Sequence, residues 1–240
     1  MVDVHHRMPH GFVDVWNGYE FSWLNARGRP EVAGLRLVVG ADSPRFVESK
    51  SLKLYLNGYA QTRFADRDAV VERLVQDLAA GFGAPVEVDL VELRRLSMAD
   101  AELPGCSLDA LDIEIAGYAR DPDCLVRVPG NGGVVIEALH TDLFRSLCPV
   151  TGQPDWASVL VQYRGPAIDH AGLLRYLVSY RTHPAFHETT IEQIFLDVKS
   201  RCGCEALTVT GYFQRRGGLD INPTRTDSAT QPLQRRLPRQ

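Results

Sequence analysis

No run of the 240-residue chain reaches the ~18 consecutive apolar residues of a membrane span, and residues 1–10 (MVDVHHRMPH) are too polar for the core of an export signal. These absences point to a cytoplasmic protein. Strong charge is missing too. A formal net charge of −4 lacks the electrostatic footprint of a protein that grips a phosphate backbone by itself, although Arg235, Arg236 and Arg239 make the tail locally basic. Neither a direct nucleic-acid partner nor a membrane partner is expected. Cysteine is sparse: Cys106, Cys124, Cys148, Cys202 and Cys204 form an odd, scattered set, which excludes a dense disulfide framework and leaves at least one thiol free. Neither Gly-x-Gly-x-x-Gly nor a Walker-type loop occurs, so any dinucleotide here binds without the Rossmann fingerprint.

What is present is an ordinary core-forming composition, 45% hydrophobic and 23% charged, enough for one or two domains. Leu35, Leu37 and Val39 alternate, as do Val86, Val88 and Leu90 against Glu87 and Asp89, which is strand periodicity with one wet face. Between them Val70, Val71, Leu74, Val75 and Leu78 recur at helical spacing, stopped by Gly81, Gly83 and Pro85. The second half repeats this order. Strands are expected over 111–115, 134–139 and 158–163, then a helix capped by Asp169, another after Pro184 carrying Ile191, Ile194, Phe195 and Val198, and a return strand over 207–213. Strand, strand, helix, helix, strand predicts an α+β fold, antiparallel sheets with helix pairs on one face, duplicated along the chain. Pro104-Gly105 interrupts the pattern within 94–109, which sets the expected modules at 1–105 and 106–240.

Four segments carry chemistry. Cys148 and Asp155 share the Pro- and Gly-punctuated loop CPVTGQPDW, where a thiolate nucleophile and a nearby proton donor fit as well as a small buried hydrophobe and a turn residue. In Phe186-His187-Glu188, at the junction of the two helices, a carboxylate able to accept paired N–H donors of a guanine-like edge sits beside a histidine. The alternative there is first-turn helix charge. Glu48-Ser49-Lys50-Ser51-Leu52-Lys53 places two lysines one helical turn apart at a helix start, which suits a phosphate cradle or a capped amphipathic helix. Arg215-Arg216-Gly217-Gly218 offers guanidinium groups beside flexible backbone, or a charged turn. Cys202-Gly203-Cys204 lacks the spacing of a zinc site, and no metal is expected.

Together, Glu48–Tyr55, the Cys148–Trp156 segment, Phe186-His187-Glu188 and Arg215–Pro223 resemble the QueF family, the nitrile reductases of queuosine biosynthesis, in its longer two-module form. The resemblance runs from Asp14-Val15-Trp16 to the C-terminal arginines. It implies two tunnelling-fold (T-fold) modules and NADPH-dependent reduction of 7-cyano-7-deazaguanine to its 7-aminomethyl counterpart, a step toward tRNA modification. It further implies Cys148 as nucleophile forming a thioimide, and Asp155 as proton donor. Val47, Glu48, Ser49, His187 and Glu188 are the implied substrate contacts. Ser49, Lys50, Arg216 and Gly217 are the implied contacts to NADPH, of which two are consumed per turnover. A homodimer is implied as well. The family's long form usually has a further segment before the equivalent of Gly11-Phe12-Val13, which sets the start of this sequence apart. Two rival readings are a zinc-dependent purine or pterin cyclohydrolase of the same fold, with Cys148 as a ligand, and a deazapurine-binding protein without turnover.

Overall fold

Alternation in the sequence becomes a two-faced sheet in the computed structural model, which describes residues 11–92, 102–130, 133–228, 236–237 and 240. The first half runs β1 (Val13–Leu24), β2 (Pro30–Gly40), α1 (Ser49–Gly58), α2 (Arg67–Phe82) and β3 (Val86–Val91). The second runs β4 (Cys106–Ser107), β5 (Val134–Leu147), β6 (Pro154–Pro166), α3 (His170–Ser179), α4 (His187–Cys202), β7 (Ala206–Phe213) and β8 (Leu219–Thr226). All the described strands join one sheet in the order β3-β2-β1-β8-β7-β6-β5-β4, antiparallel except for the short β4–β5 pair. The α+β class expected from the sequence is the class observed.

Side-chain period two decides what each face does. On β7, Leu207, Val209 and Phe213 enter a core with Leu177, Ile191 and Ile194 of the helices, while Thr208, Thr210 and Tyr212 take the opposite face. There the threonines pair across strands, Thr208 with Thr226 at 2.6 Å and Thr210 with Thr224 at 3.0 Å, so the buried hydroxyls are satisfied. A second core lies under α1 and α2, built from Trp16, Leu35, Leu37, Leu52 and Leu74 with Leu219 and Ile221 of β8. The halves are therefore stitched through β1, whose Trp16 is opposite Leu37 on one side and Ile221 on the other.

Local chemistry starts and stops the helices as expected. The Asp66 and Asp169 carboxylates accept from Ala69 N at 2.8 Å and Gly172 N at 2.7 Å, N-caps worth about 1 kcal/mol each. Gly83 and Gly203 end α2 and α4 at φ 72° and 63°, a left-handed conformation that glycine adopts without a Cβ clash.

Two expectations fail. Residues 111–118, read as a strand from Leu111, Ile113 and Ile115, pair with no strand. The segment instead lies across the helices, with Arg175 Nε donating to Glu114 O and Thr182 Oγ1 to Tyr118 O. Leu111 is exposed and Ile113 and Ile115 only half-buried, Ile113 against the second-half core, so the alternation records partial cover by the helices and not a strand ladder. The opposite failure is β8: the expected strands end at 213, because Asp220, Asn222, Pro223 and Arg225 carry no strand signal, although every residue of β8 is buried. Its ladder to β7 stops at Thr210↔Thr224, one residue short of Pro223, whose missing N–H therefore breaks no bond on that side.

Candidate active site

The loop that joins β5 to β6 is drawn tight at its base, where Cys148 N donates to Gln153 O at 2.8 Å and Gly152 N to Cys148 O at 2.9 Å. Leu147 is also clamped to the helix junction, its N donating to His183 O at 2.9 Å and its O accepting from Ala185 N at 3.1 Å. The half-buried Cys148 thiol is thus fixed between the hairpin and the start of α4. Burial raises its pKa, but donors from the Thr151 hydroxyl and from the Thr151 and Val150 backbone outweigh that, and the thiol lies below its ordinary value. The nearby Asp155 charge works against this lowering. Donors aimed at sulfur favour thiolate, the nucleophilic form.

Asp155, the second residue of β6, is 2% exposed. One of its oxygens accepts from Arg216 Nη2 at 2.6 Å, and the other lies 3.2 Å from His187 Nε2. Arg216 also donates to Gln153 Oε1 at 2.7 Å, so one guanidinium ties the end of the loop to the start of β6. The His187 ring stacks on Phe213, centroids 3.8 Å apart and planes 8° from parallel. Its Nδ1 has no hydrogen-bond partner among the described residues.

Glu188 follows on the first turn of α4, buried, with Oε1 lacking a hydrogen-bond partner among the described residues. Burial, reinforced by Asp14 and Asp155, pushes its carboxyl up to about 8, while its own backbone N–H and Arg225 pull the other way. A buried acid with an unfilled oxygen is prepared for a ligand that brings donors.

The segment containing Val47, Glu48 and Ser49 reaches the same place from the first half, since Phe46 packs on Phe186 with ring centroids 4.9 Å apart. Glu48 acts as the N-cap of α1, its carboxylate accepting from Lys50 N and Ser51 N, each at 2.9 Å. Val47 packs against the first-half core. Lys50 is exposed, whereas Lys53 is half-buried among Arg216, Glu48, Asp155 and Cys148. Burial first, and then Arg216, lower the Lys53 pKa.

Gly217 and Gly218 form the two-residue β7–β8 turn at φ 58° and 79°, closed by Arg216 N donating to Leu219 O at 2.9 Å. Two positive φ values define the hairpin turn that glycine pairs favour. A Cβ added at Gly217 would stand 3.1 Å from Lys53 Cδ, so the glycine also lets α1 and the turn close up. Beside them lies a cavity of about 190 Å³ whose lining includes Lys53, Asn57, Gly217 and Gly218. Its charged lining is Lys53 on one side and Glu20 on the other, with the open backbone of Gly217 and Gly218 between strand and helix. The zinc-suspect Cys202 and Cys204 are buried at the end of α4, where burial pushes their thiols up to about 12 and about 11.

Cys148, Asp155, His187 and Arg216 thus meet within one chain, with Glu188 behind them and the Glu48 segment alongside. The sequence alone suggests no site role for Phe213, Asp14 or Arg225, whereas Lys53 is expected, with Lys50, in a phosphate cradle or on a capped helix. Lys53 carries a usable signal, the helical spacing from Lys50. The other three carry none, because Asp14 and Arg225 are brought in by the pairing of β1 with β8 and Phe213 by the pairing of β6 with β7.

A buried acid next to an activated thiol, beside a carboxylate awaiting N–H donors, defines an enzyme of thiol chemistry. Comparison with known proteins gives the family. Residues 1–90 match the family model described as nitrile reductase, 7-cyano-7-deazaguanine-reductase N-term, and residues 154–232 match the QueF-like protein model. The NADPH-dependent 7-cyano-7-deazaguanine reductase of Burkholderia cenocepacia (strain HI2424) is 51% identical over 224 residues, covering 92% of this chain and 80% of the relative. Its namesake in Burkholderia vietnamiensis is 50% identical over 223 residues with the same coverage. Among solved structures, an apo archaeosine synthase QueF-Like aligns at 22% identity and TM-score 0.35, over 41% of this chain and 96% of its own. The chain belongs to the QueF nitrile reductase family.

Proposed function

We propose that this chain reduces the nitrile of 7-cyano-7-deazaguanine to the aminomethyl group at the expense of two NADPH, through a covalent bond to Cys148. The observation that carries the reading is the Cys148 thiol held below its usual pKa in a loop braced to Asp155 by Arg216. The Cys148 sulfur attacks the nitrile carbon, the thiol proton passes to Asp155, and Asp155 returns it to the nitrile nitrogen, giving a thioimide. NADPH, when bound, supplies the two hydrides that, with two protons, convert the carbon–nitrogen triple bond to CH2–NH2. Cys148 leaves as thiolate between the two reductions, and its stabilisation by Thr151 and the loop N–H groups favours that departure.

Glu188 accepts from the N–H donors of the purine edge, and His187 holds Asp155 from the side opposite Arg216. Val47, Glu48 and Ser49 bound the pocket from the first half. Ser49, Lys50, Arg216 and Gly217, with Lys53, line the cofactor side. The burial of Asp155 and Glu188 keeps water from the imine that precedes the amine. Division into modules 1–105 and 106–240, a homodimeric assembly and a cytoplasmic location belong to the same proposal. Among the described residues no helix is long and apolar enough to cross a membrane.

The test combines NADPH absorbance with intact-protein mass. Two NADPH oxidised per substrate, and a substrate-sized adduct without cofactor that vanishes in Cys148→Ala, are expected. Turnover retained by that variant would sink the covalent route.

A further inference from the structure

Arg225 sits within β8 with 2% of its surface exposed, and the reaction described above makes no use of it. Its Nη1 donates to Asp14 Oδ1 at 2.7 Å and to the Thr224 and Val13 carbonyls at 3.1 and 3.4 Å. Nη2 donates to the Glu188 carbonyl at 3.4 Å, Nε to Glu192 Oε2 at 3.4 Å, and the guanidinium lies 5.7 Å from the Phe12 ring centroid. One buried cation therefore ties β1 and β8 to the turn of α4 that carries Glu188. Removing a guanidinium from water costs several kcal/mol, so a site that keeps one needs matching negative charge.

That charge is in excess. The charges acting on the Glu188 carboxyl are Asp14 from β1 and Asp155 from β6, which oppose its ionisation, and Arg225 from β8, which favours it and is itself shared with Asp14 and with Glu192 of α4. Burial pushes Asp14 and Glu188 upward, and for both Arg225 is the opposing charge. The Asp14 carboxylate holds the direct ion pair, while Oε1 of Glu188 has no hydrogen-bond partner among the described residues.

We propose that Arg225, oriented by Asp14, is a positioning residue for Glu188: it pins the first turn of α4 and supplies the counter-charge for the carboxylate that receives the purine edge. This rests on Glu188 being the base anchor. Binding of the N–H donors then strengthens as Glu188 ionises with rising pH and fades as pH falls. Asp14 works against ionisation by its own charge and for it by holding Arg225 in place, so exchanging Asp14 for its amide tests charge with little change of shape.

The experiment is calorimetric titration of 7-cyano-7-deazaguanine against pH, in the Cys148→Ala background so that no covalent step intrudes. Arg225→Met is expected to move the pH midpoint of binding upward by about one unit, tenfold in affinity below the midpoint, and Arg225→Lys to recover part of the shift. Asp14→Asn is expected to move the midpoint downward, and Glu188→Gln to weaken binding and flatten its pH dependence. If Glu188→Gln flattens the profile while neither Arg225→Lys nor Asp14→Asn moves the midpoint, the positioning role is overturned and the anchor stands. Wild-type binding by Glu188→Gln would overturn the anchor itself. Should Arg225→Met not fold, the lysine and asparagine variants decide.

Discussion

The two halves of the chain are built on one frame, and only the second sets a thiol of lowered pKa and a buried acid at its hairpin. In each, the first hairpin strand ends in a leucine clamped to the helix junction. Leu24 N donates to Thr62 O and its O accepts from Phe64 N, just as Leu147 is held by His183 and Ala185. Each following hairpin loop begins with the same bonds, Asn25 standing where Cys148 stands, with Gly28 N donating to Asn25 O at 2.8 Å. A Pro-acid pair opens the return strand, Pro30-Glu31 in one half and Pro154-Asp155 in the other. In each half a tyrosine of the first helix bonds both the tyrosine that ends that helix and an aspartate on the second helix: Tyr55 with Tyr59 and Asp77, Tyr176 with Tyr180 and Asp197. Arg67-Asp68 occupies the first turn where the other half has His187-Glu188.

What differs is burial. Glu31 is partly exposed and satisfied by Arg29 and Asn25, and Asp68 is in solvent, whereas Asp155 and Glu188 are sealed in. The frame sets where a reactive group stands, and its immediate surroundings tune it, by donors aimed at the Cys148 sulfur and by burial of Asp155 and Glu188.

The comparison is broken most directly at the loop. Cys148→Ala should lower NADPH oxidation by about 10³-fold or more, and Asn25→Ala should leave it near wild type. Equal losses would mean the hairpins matter only as structure. Next is the acid pair, where Asp155→Asn should cost about 10²- to 10⁴-fold in kcat, the usual range for a proton-transfer group, and Glu31→Gln almost nothing.

A third contrast reads stability. Because Glu188 is raised in the folded state to about 8, the fold holds a proton that the unfolded chain has released, so its contribution to stability falls as pH rises from the ordinary carboxylate range through 8. Glu188→Gln should therefore melt a few degrees above wild type at pH 8 and level with it near pH 4, while Asp68→Asn shifts neither. A melting curve for Glu188→Gln that is lower at every pH would contradict this. Smallest is the tyrosine contrast. Tyr176→Phe removes a fully buried hydroxyl that donates to Asp197 and should cost about 1–3 kcal/mol in denaturant unfolding, against about 0.5–1 for the half-exposed Tyr55→Phe. Equal costs would show that the two networks are equally desolvated.

The duplication itself was legible in the sequence. Repeated strand and helix periods, aspartate caps and glycine stops are local signals that act on neighbouring residues. Cys148, Asp155, His187 and Glu188 were also legible, but as pattern and resemblance, since their spacing alone fits a hairpin and a helix start equally well. β8 was not, because a central strand carrying Asp220, Asn222, Pro223 and Arg225 contradicts every propensity for one. It is a strand because β1 and β7 present free ladder edges on both sides and because Asn17, Tyr19 and Asp14 pair with its polar groups.

The sequence alone thus settles the α+β class, the doubled order of elements and the helix ends, which follow from periodicity and local hydrogen bonding, while the candidate site residues come from it only through resemblance to a family. Only the tertiary structure decided that a strand from the far end of the chain joins the halves. It alone decided that Arg216 and His187 hold Asp155 from opposite sides, and that Arg225 lies against the turn carrying Glu188. Those are contacts between residues as far as 211 positions apart, and they exist only once pairing and desolvation have brought the segments together.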